Sequence, residues 1–251
     1  MKVHSFLSLR NEAVGLGILL LVWSAAALFY PSYVLPSPWE TFGSLRAALP
    51  PETGRHLLLT LWRVLAGLGL GLAAGMGLGA LACALDWEGP FHSLMTGIQV
   101  LPGTVLGVIL LLVCGAGSWM PILLVALLTL PTLAINTFHA LKGRDRQMEE
   151  YLQTLHGRKI DALRWVYFPA LVPALQSNLS LGVGLAVKVV VLGEFIGVQD
   201  GLGFLLNRAR LFLDMKAVFV YLSILLLFSL VFQAARSLFF STCMRKYFFP
   251  A

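Results

Sequence analysis

The sequence predicts an all-α polytopic membrane protein with about six transmembrane helices. Three observations carry that expectation. Of 251 residues, 58% are hydrophobic and only 12% charged, against about 25% charged in a soluble domain. The apolar residues gather in runs at 14–30, 57–85, 94–113, 120–141, 171–198 and 218–240, each near the ~20 residues that cross a bilayer. One long polar segment, 142–170, separates the fourth run from the fifth. Residues 1–251 read as a single transmembrane domain, with no separate soluble catalytic domain.

Several classes are excluded early. Cys83, Cys114 and Cys243 are far apart and form no C-x-x-C pair. His4, His56, His92, His139 and His156 are scattered, with no H-E-x-x-H. No metal site and no catalytic residue is expected. The net charge of +6 is explained by membrane topology rather than by nucleic acid.

In chain order, 14–30 reads as an uncleaved first span. Ser24 to Ala27 is loosely cleavage-like, but the apolar run continues through Leu28, Phe29 and Tyr30, and such aromatics suit an interface. Prolines at 31, 36, 38, 50 and 51 break residues 31–55 at both ends. Residues 39–49 between them suit an amphipathic surface helix. In 57–85, Gly67, Gly71, Gly75 and Gly79 recur every four residues. They leave one helix face nearly bare for close packing. No strand precedes these glycines, so they are no nucleotide fingerprint. Arg63 lies about two turns into the span and reads as structural, its side chain within snorkelling reach of the outer headgroups.

Residues 86–91 suit a tight acidic turn. The third run is interrupted at Pro102-Gly103. Broken spans are tolerated where their freed carbonyls face protein or a wet cavity. Gln99, Pro102 and Gly103 are therefore the first pathway candidates. The fourth run adds Asn136 and Thr137 near its end.

The stretch 148–173 dominates the reading. Leu152 and Leu155, then Ile160 and Leu163, fall at i, i+3 spacings, with Glu149, Glu150, Arg158, Lys159 and Asp161 elsewhere. That fits two short amphipathic helices broken at Gly157. The residues alone leave two readings, a solvated loop or a docking site for a soluble partner. Pro169 and Pro173 suit the first turn of the following span.

The fifth run contains Lys188 and Glu194. An intramembrane charge costs roughly 2.5–3.5 kcal/mol on insertion scales, so it faces a cavity or a partner. Their six-residue spacing excludes an i, i+4 pair. Either they serve interhelical packing, or Lys188 lines a path for an anionic or zwitterionic solute. Residues 204–213 suit a short amphipathic helix before the last run. With both termini inside, eleven Lys and Arg fall inside and five outside, as the positive-inside rule requires.

Residues 148–173 resemble the EAA loop of ABC-importer permeases, roughly Glu-Ala-Ala-x-x-x-Gly followed a dozen residues later by an aliphatic residue and Pro. Glu150 takes the Glu position, Thr154-Leu155 match Thr-Leu, and Phe168-Pro169 match the final pair. Tyr151-Leu152 replace Ala-Ala, and His156 stands at the Gly position with Gly157 one residue late. Leu35-Pro36-Ser37-Pro38 is similar to the nitrate/sulfonate/taurine-type branch, as is Glu194 followed by Gly201-Leu202-Gly203. Where relatives have Arg-x-Ile-Pro-Pro, this chain has Gln99-Val100-Leu101-Pro102-Gly103.

The resemblance, running from Leu35 to Leu238, implies a type I ABC-importer permease of the bacterial inner membrane with both termini cytoplasmic. It implies a homodimer, two cytoplasmic ATPase subunits, and an extracytoplasmic solute-binding protein. The coupling residues would be Glu149, Glu150, Thr154, Leu155, His156, Gly157 and Pro169. The path candidates are Gln99, Pro102, Gly103, Asn136, Lys188 and Glu194. The chain has no phosphate loop of its own, so ATP and Mg would be bound by the partner ATPase. The expected solute is small and anionic or zwitterionic, such as a sulfonate, nitrate, taurine or a vitamin precursor.

The alternatives are an ion-gradient-driven transporter and a membrane-embedded lipid-modifying enzyme. The first needs inverted repeats and midplane acids, and no repeat is visible. The second needs clustered acids, whereas Glu149-Glu150 is the only adjacent pair among twelve.

Overall fold

The computed structural model describes residues 2–45, 51–155 and 158–243, and these are almost entirely helical. In chain order the helices are α1 (Lys2–Ala27), α2 (Pro38–Gly43), α3 (Thr53–Ala84), α4 (Glu88–Val100), α5 (Gly103–Cys114) and α6 (Trp119–Lys142). They continue with α7 (Arg146–Thr154), α8 (Lys159–Ala162), a π-helical turn (Leu163–Tyr167), α9 (Phe168–Gly197), α10 (Leu202–Leu211) and α11 (Met215–Cys243). Among the described residues four stretches are long and apolar enough to cross a membrane: α3, α6, Ile160–Gly197 and Met215–Phe232. Helices α4 and α5 pass the same test together and meet at an angle of 85°. Val14–Ala27 is a shorter apolar helix.

The chain divides into two units, one of them made of Met1–Gly54 with Leu205–Leu226. Within it, the Trp23 indole donates to the Pro36 carbonyl at 3.0 Å and stacks on Phe219 with centroids 5.3 Å apart. Ser37 caps α2 in a reciprocal pair with Glu40, and Pro38 occupies the first turn. The Leu-Pro-Ser-Pro segment is thus a pinned loop leading into a helix start. Helix α2 begins one residue before the amphipathic helix expected at 39–49 and ends at Gly43, with a turn at Ser44; residues 46–49 of that expectation lie outside the described residues.

The second unit, Arg55–Phe204 with Leu227–Ala251, is built on α3, α6 and α9. The four-residue glycine repeat faces α6. A Cβ on Gly67 would stand 2.7 Å from Val125 Cβ, and one on Gly75 would stand 2.9 Å from the Leu130 carbonyl oxygen. Gly71 and Gly79 are equally closed, by Thr129 and by the Ala134 carbonyl. Gly69 and Gly77, on the other face, have nothing within 4 Å. Helix α9 covers both partners: Gly182 sits against Leu68, Gly193 against Pro121. The shared core contains Val64, Leu68, Leu124, Val125, Val187 and Val190.

Several boundaries differ from expectation. The turn at 86–91 is shorter: Asp86 takes a positive φ of 51° and α4 begins at Glu88, because Pro90 falls in a first turn where its missing N–H costs nothing. The helix expected at 204–213 spans Leu202–Leu211. Its first N–H groups are satisfied by side chains of other helices, which no local pattern announces. Pro173 lies inside α9 rather than in a first turn. Helix continues backward through the π-helical turn just before Phe168-Pro169. A π turn re-spaces backbone carbonyls, the usual accommodation where a proline interrupts the ladder.

The glycine seam yields a direct prediction. Gly75→Ala overpacks α3 against α6 and should cost roughly 1–3 kcal/mol, whereas Gly77→Ala should leave stability unchanged or slightly higher. Thermal unfolding of the solubilised protein checks both, and equal effects at the two sites would refute the seam.

Candidate functional site

One end of the second unit is closed around Arg63. Its side chain is 1% exposed. Nη1 donates to Glu194 Oε1 at 2.8 Å and to the Asp200 carbonyl at 3.1 Å. Nη2 pairs with the Asp200 carboxylate and donates to Ser118 Oγ at 2.9 Å. The Glu194 carboxylate, fully buried, also accepts from the Gly203 amide at 2.9 Å and lies 3.0 Å from Thr60 Oγ1. Thr60 Oγ1 in turn accepts from the Leu202 amide at 2.9 Å. His56 Nδ1 accepts from the Gly201 amide at 2.8 Å. Gly201 has φ +99°, and a Cβ there would collide with the Glu194 carboxylate. The Gly-Leu-Gly turn is therefore folded onto a buried acid. Arg63 does not reach out to headgroups; it ties α3 to α9, the 198–203 turn and the turn before α6.

Of the path candidates, Glu194 is enclosed in this cluster, and the others lie elsewhere. Gln99 is exposed at the end of α4, beside the break at Leu101-Pro102, and its Nε2 donates to Thr132 Oγ1 at 3.3 Å. Gly103 lies under Leu128. Asn136 Nδ2 donates to Ser177 Oγ and Asn178 Oδ1, both at 3.0 Å. Asn178 is fully buried and donates to Thr137 Oγ1 at 3.0 Å and to the Leu133 carbonyl at 3.2 Å. Along α9, Pro173, Ser177, Leu181 and Lys188 are exposed at spacings that share one helix face. Lys188 makes no hydrogen bond or ion pair with any described residue. Lys188 and Glu194 thus face apart, as their spacing requires, with Glu194 enclosed by protein donors and Lys188 open.

At the opposite end, Asp145 Oδ1 accepts from the Met148 amide at 3.0 Å, a side-chain cap for α7. Glu149 faces inward. Its Oε1 accepts from the Tyr167 hydroxyl at 2.7 Å and its Oε2 from Arg144 Nε at 2.9 Å. These two donors, the tyrosine first, hold the Glu149 carboxyl below the usual carboxylate range. Glu150 is exposed, as are Tyr151, Leu155, Ile160 and Leu163. The Thr154 hydroxyl donates back to the Tyr151 carbonyl at 2.7 Å. His156 and Gly157 lie outside the described residues. Exposed Pro169 borders a groove of about 600 Å³ with Ile160, Leu163, Trp165 and Phe168. Among the described residues no group of three or more His, Cys, Asp or Glu could hold a metal.

Sequence reasoning missed three features. The Arg63–Glu194 partnership had a usable signal: two buried-run charges of opposite sign, each near the same end of its span. Arg144 and Tyr167 had none, because Glu149 and Tyr167 are 18 residues apart on separate elements and no spacing rule joins them.

Among the described residues, a close-packed helical bundle with a broken apolar span and an exposed helix pair at one end has the architecture of a polytopic membrane subunit. The chain belongs to the family of binding-protein-dependent transport system inner membrane components, whose pattern matches residues 67–241. It is similar to the riboflavin transport system permease protein RibX of Chloroflexus aurantiacus, at 31% identity over 91% of this chain and 88% of the relative. It is similar to the formylaminopyrimidine transport permease protein ThiX of Halalkalibacterium halodurans, at 28% over 87% and 88%. The putative aliphatic sulfonates transport permease protein SsuC of Escherichia coli is 29% identical over 79% of this chain and 77% of its own length. A chain of the MetNI methionine ABC transporter in inward-facing conformations shares the fold, with a TM-score of 0.62 at 16% identity, covering 73% of this chain and 92% of that one. The chain is thus a permease subunit of an ABC importer.

Two predictions follow from the geometry. Arg63→Ala or Glu194→Ala alone leaves an uncompensated buried charge and should cost about 3–5 kcal/mol. The double variant should cost less than the sum of the two, which a thermal-unfolding double-mutant cycle measures; strict additivity would deny the pairing. Glu149 has a lowered folded pKa, so its stabilising effect is complete above the ordinary Glu value of about 4.3 and is lost as pH falls through the lower folded value. The stability gap between the native chain and Glu149→Gln should hold constant from pH 8 to 5 and close only in stronger acid.

Proposed function

We propose that this chain forms the translocation path of an ATP-driven importer for a small organic solute, and that the α7–α8 segment is its contact with a cytoplasmic ATPase. The observation that carries the coupling is the segment's two-sidedness. Glu149 is consumed by partners within the chain, while Glu150, Tyr151, Leu155 and Ile160 stand exposed. An acid beside exposed apolar side chains on a short helix is a surface suited to a protein groove. ATP and Mg belong to that partner in this reading.

The segment is cytoplasmic and the Arg63 cluster faces outward, in agreement with the bias of positive residues. Two copies of the chain would enclose the path, each with its own ATPase, and a binding protein would deliver solute at the Arg63 end. The break at Pro102 and the exposed face of α9 line the path. Lys188 attracts a negative group, and Gln99 and Asn136 offer amide hydrogen bonds. Relatives named for riboflavin, a formylaminopyrimidine and aliphatic sulfonates point to a compact solute that is anionic or rich in amide-type groups.

Purification of the tagged chain from its host in mild detergent should retain an ATPase in equal amount. Leu155→Asp should release most of it, and Glu150→Ala a smaller share. A native chain that purifies alone would overturn the coupling reading. For the path, Lys188→Ala should lower uptake of an alkanesulfonate or of riboflavin, whichever the native complex transports, at least tenfold without releasing the ATPase; unchanged uptake would remove Lys188 from the path.

A further inference from the structure

Helix α7 has only nine residues, below the ~12–15 at which an isolated helix holds together in water. Its position must come from tertiary anchors. Glu149 supplies one at its centre. The Tyr167 hydroxyl and Arg144 Nε reach different oxygens of this carboxylate, at 2.7 and 2.9 Å. Arg144 Nη1 also donates to the Leu141 carbonyl at 3.1 Å, and the guanidinium lies 5.1 Å from the centre of the Tyr167 ring. One three-residue cluster therefore fastens the end of α6, the middle of α7 and the π-helical turn together. Tyr167 is the last residue of that turn, immediately before α9.

We propose that Arg144, Glu149 and Tyr167 are the positioning residues that transmit movement of α7 into α9. This rests on the coupling reading above. A π turn carries one residue more than an α turn. Tightening that turn to a regular α turn, or opening it again, re-aims the segments on either side by up to about 100°, the rotation per residue of an α-helix. A link from α7 to the end of the turn selects between the two. Displacement of α7 by a partner then rotates the face of α9 that bears Ser177 and Lys188. The link also divides the labour of the adjacent acids: Glu149 holds the helix and Glu150 is offered to the partner. Proline alone would stiffen the start of α9 without connecting it to α7.

The test uses the ATPase complex purified from the host and placed in nanodiscs. Cys83, Cys114 and Cys243 are changed to Ser, and Ser180→Cys supplies one thiol on the exposed face of α9. Its reaction rate with a water-soluble maleimide is compared without nucleotide and with ATP and vanadate. In the otherwise native complex the rate should change at least threefold. Tyr167→Phe should reduce that change below 1.5-fold, with ATPase retention and basal hydrolysis unaltered, and Glu149→Gln should reduce it likewise in whatever complex it retains. Glu150→Gln should keep the full change in whatever complex it retains. Variants that respond like the native chain would overturn the link and leave the coupling reading intact. Variants that lose the ATPase would show that the cluster serves docking, and overturn transmission. A native complex that retains ATPase without any change in rate would overturn movement of α9. A native chain without ATPase would overturn the coupling reading itself, and this proposal with it.

Discussion

The pairing of Arg63 with Glu194 is the constraint on which the rest of the bundle depends. Each is a charge inside a long apolar helix, and either alone would carry a heavy penalty at that depth. Together, with Asp200, Ser118, Thr60 and the Gly203 amide, they leave almost no charge without a hydrogen-bonding partner. Such a pair gains little over an apolar substitute, but losing one partner is costly. Its value is therefore specificity. It permits one rotation of α3 against α9, and it folds the 198–203 turn back onto the bundle.

That fixed rotation makes the glycine seam useful. Gly67, Gly71, Gly75 and Gly79 face α6 only if α3 is turned as Arg63 requires. Close approach of backbones replaces the hydrophobic drive that lipid denies to helix association. Three helices thus become one rigid frame, held by an ionic knot at one end and by van der Waals packing along its length. The polar bridge of Asn136, Asn178 and Thr137 extends the same frame toward the other end. What stands outside it is the bent pair α4–α5 and the segment from Arg144 to Tyr167.

The sequence disclosed the frame better than its knots. Glycine periodicity, the Pro102 break, the amphipathic spacing near Leu155 and Ile160, and the two intramembrane charges were each legible because each is a local pattern. The α10 boundary was not, since Thr60, remote in sequence, and Glu194, on the preceding helix, cap its first amides. Pro173 misled for a related reason: proline marks a helix start only when nothing upstream keeps the helix going, and here the π-helical turn does. The inward role of Glu149 could not be told from the outward exposure of Glu150, because helical phase in a short polar segment is settled by its anchors.

A transporter must keep one part stiff and let another move, and the two ends of this unit are built from different interactions to that end. The Arg63–Glu194 pair is dry, its side chains 1% and 0% accessible, so any displacement leaves a buried charge unpaired; it behaves as a fixed point. The Glu149 cluster is partly exposed, with side chains 17–18% accessible, so water can exchange with its hydrogen bonds at little cost. It can hold a geometry and still yield. Between them α9 is continuous helix, stiff along its axis, with its only irregular turn at the yielding end. In the proposed coupling, a push applied there would have one compliant element to act on and one pivot to act against, and would turn the face that bears Lys188.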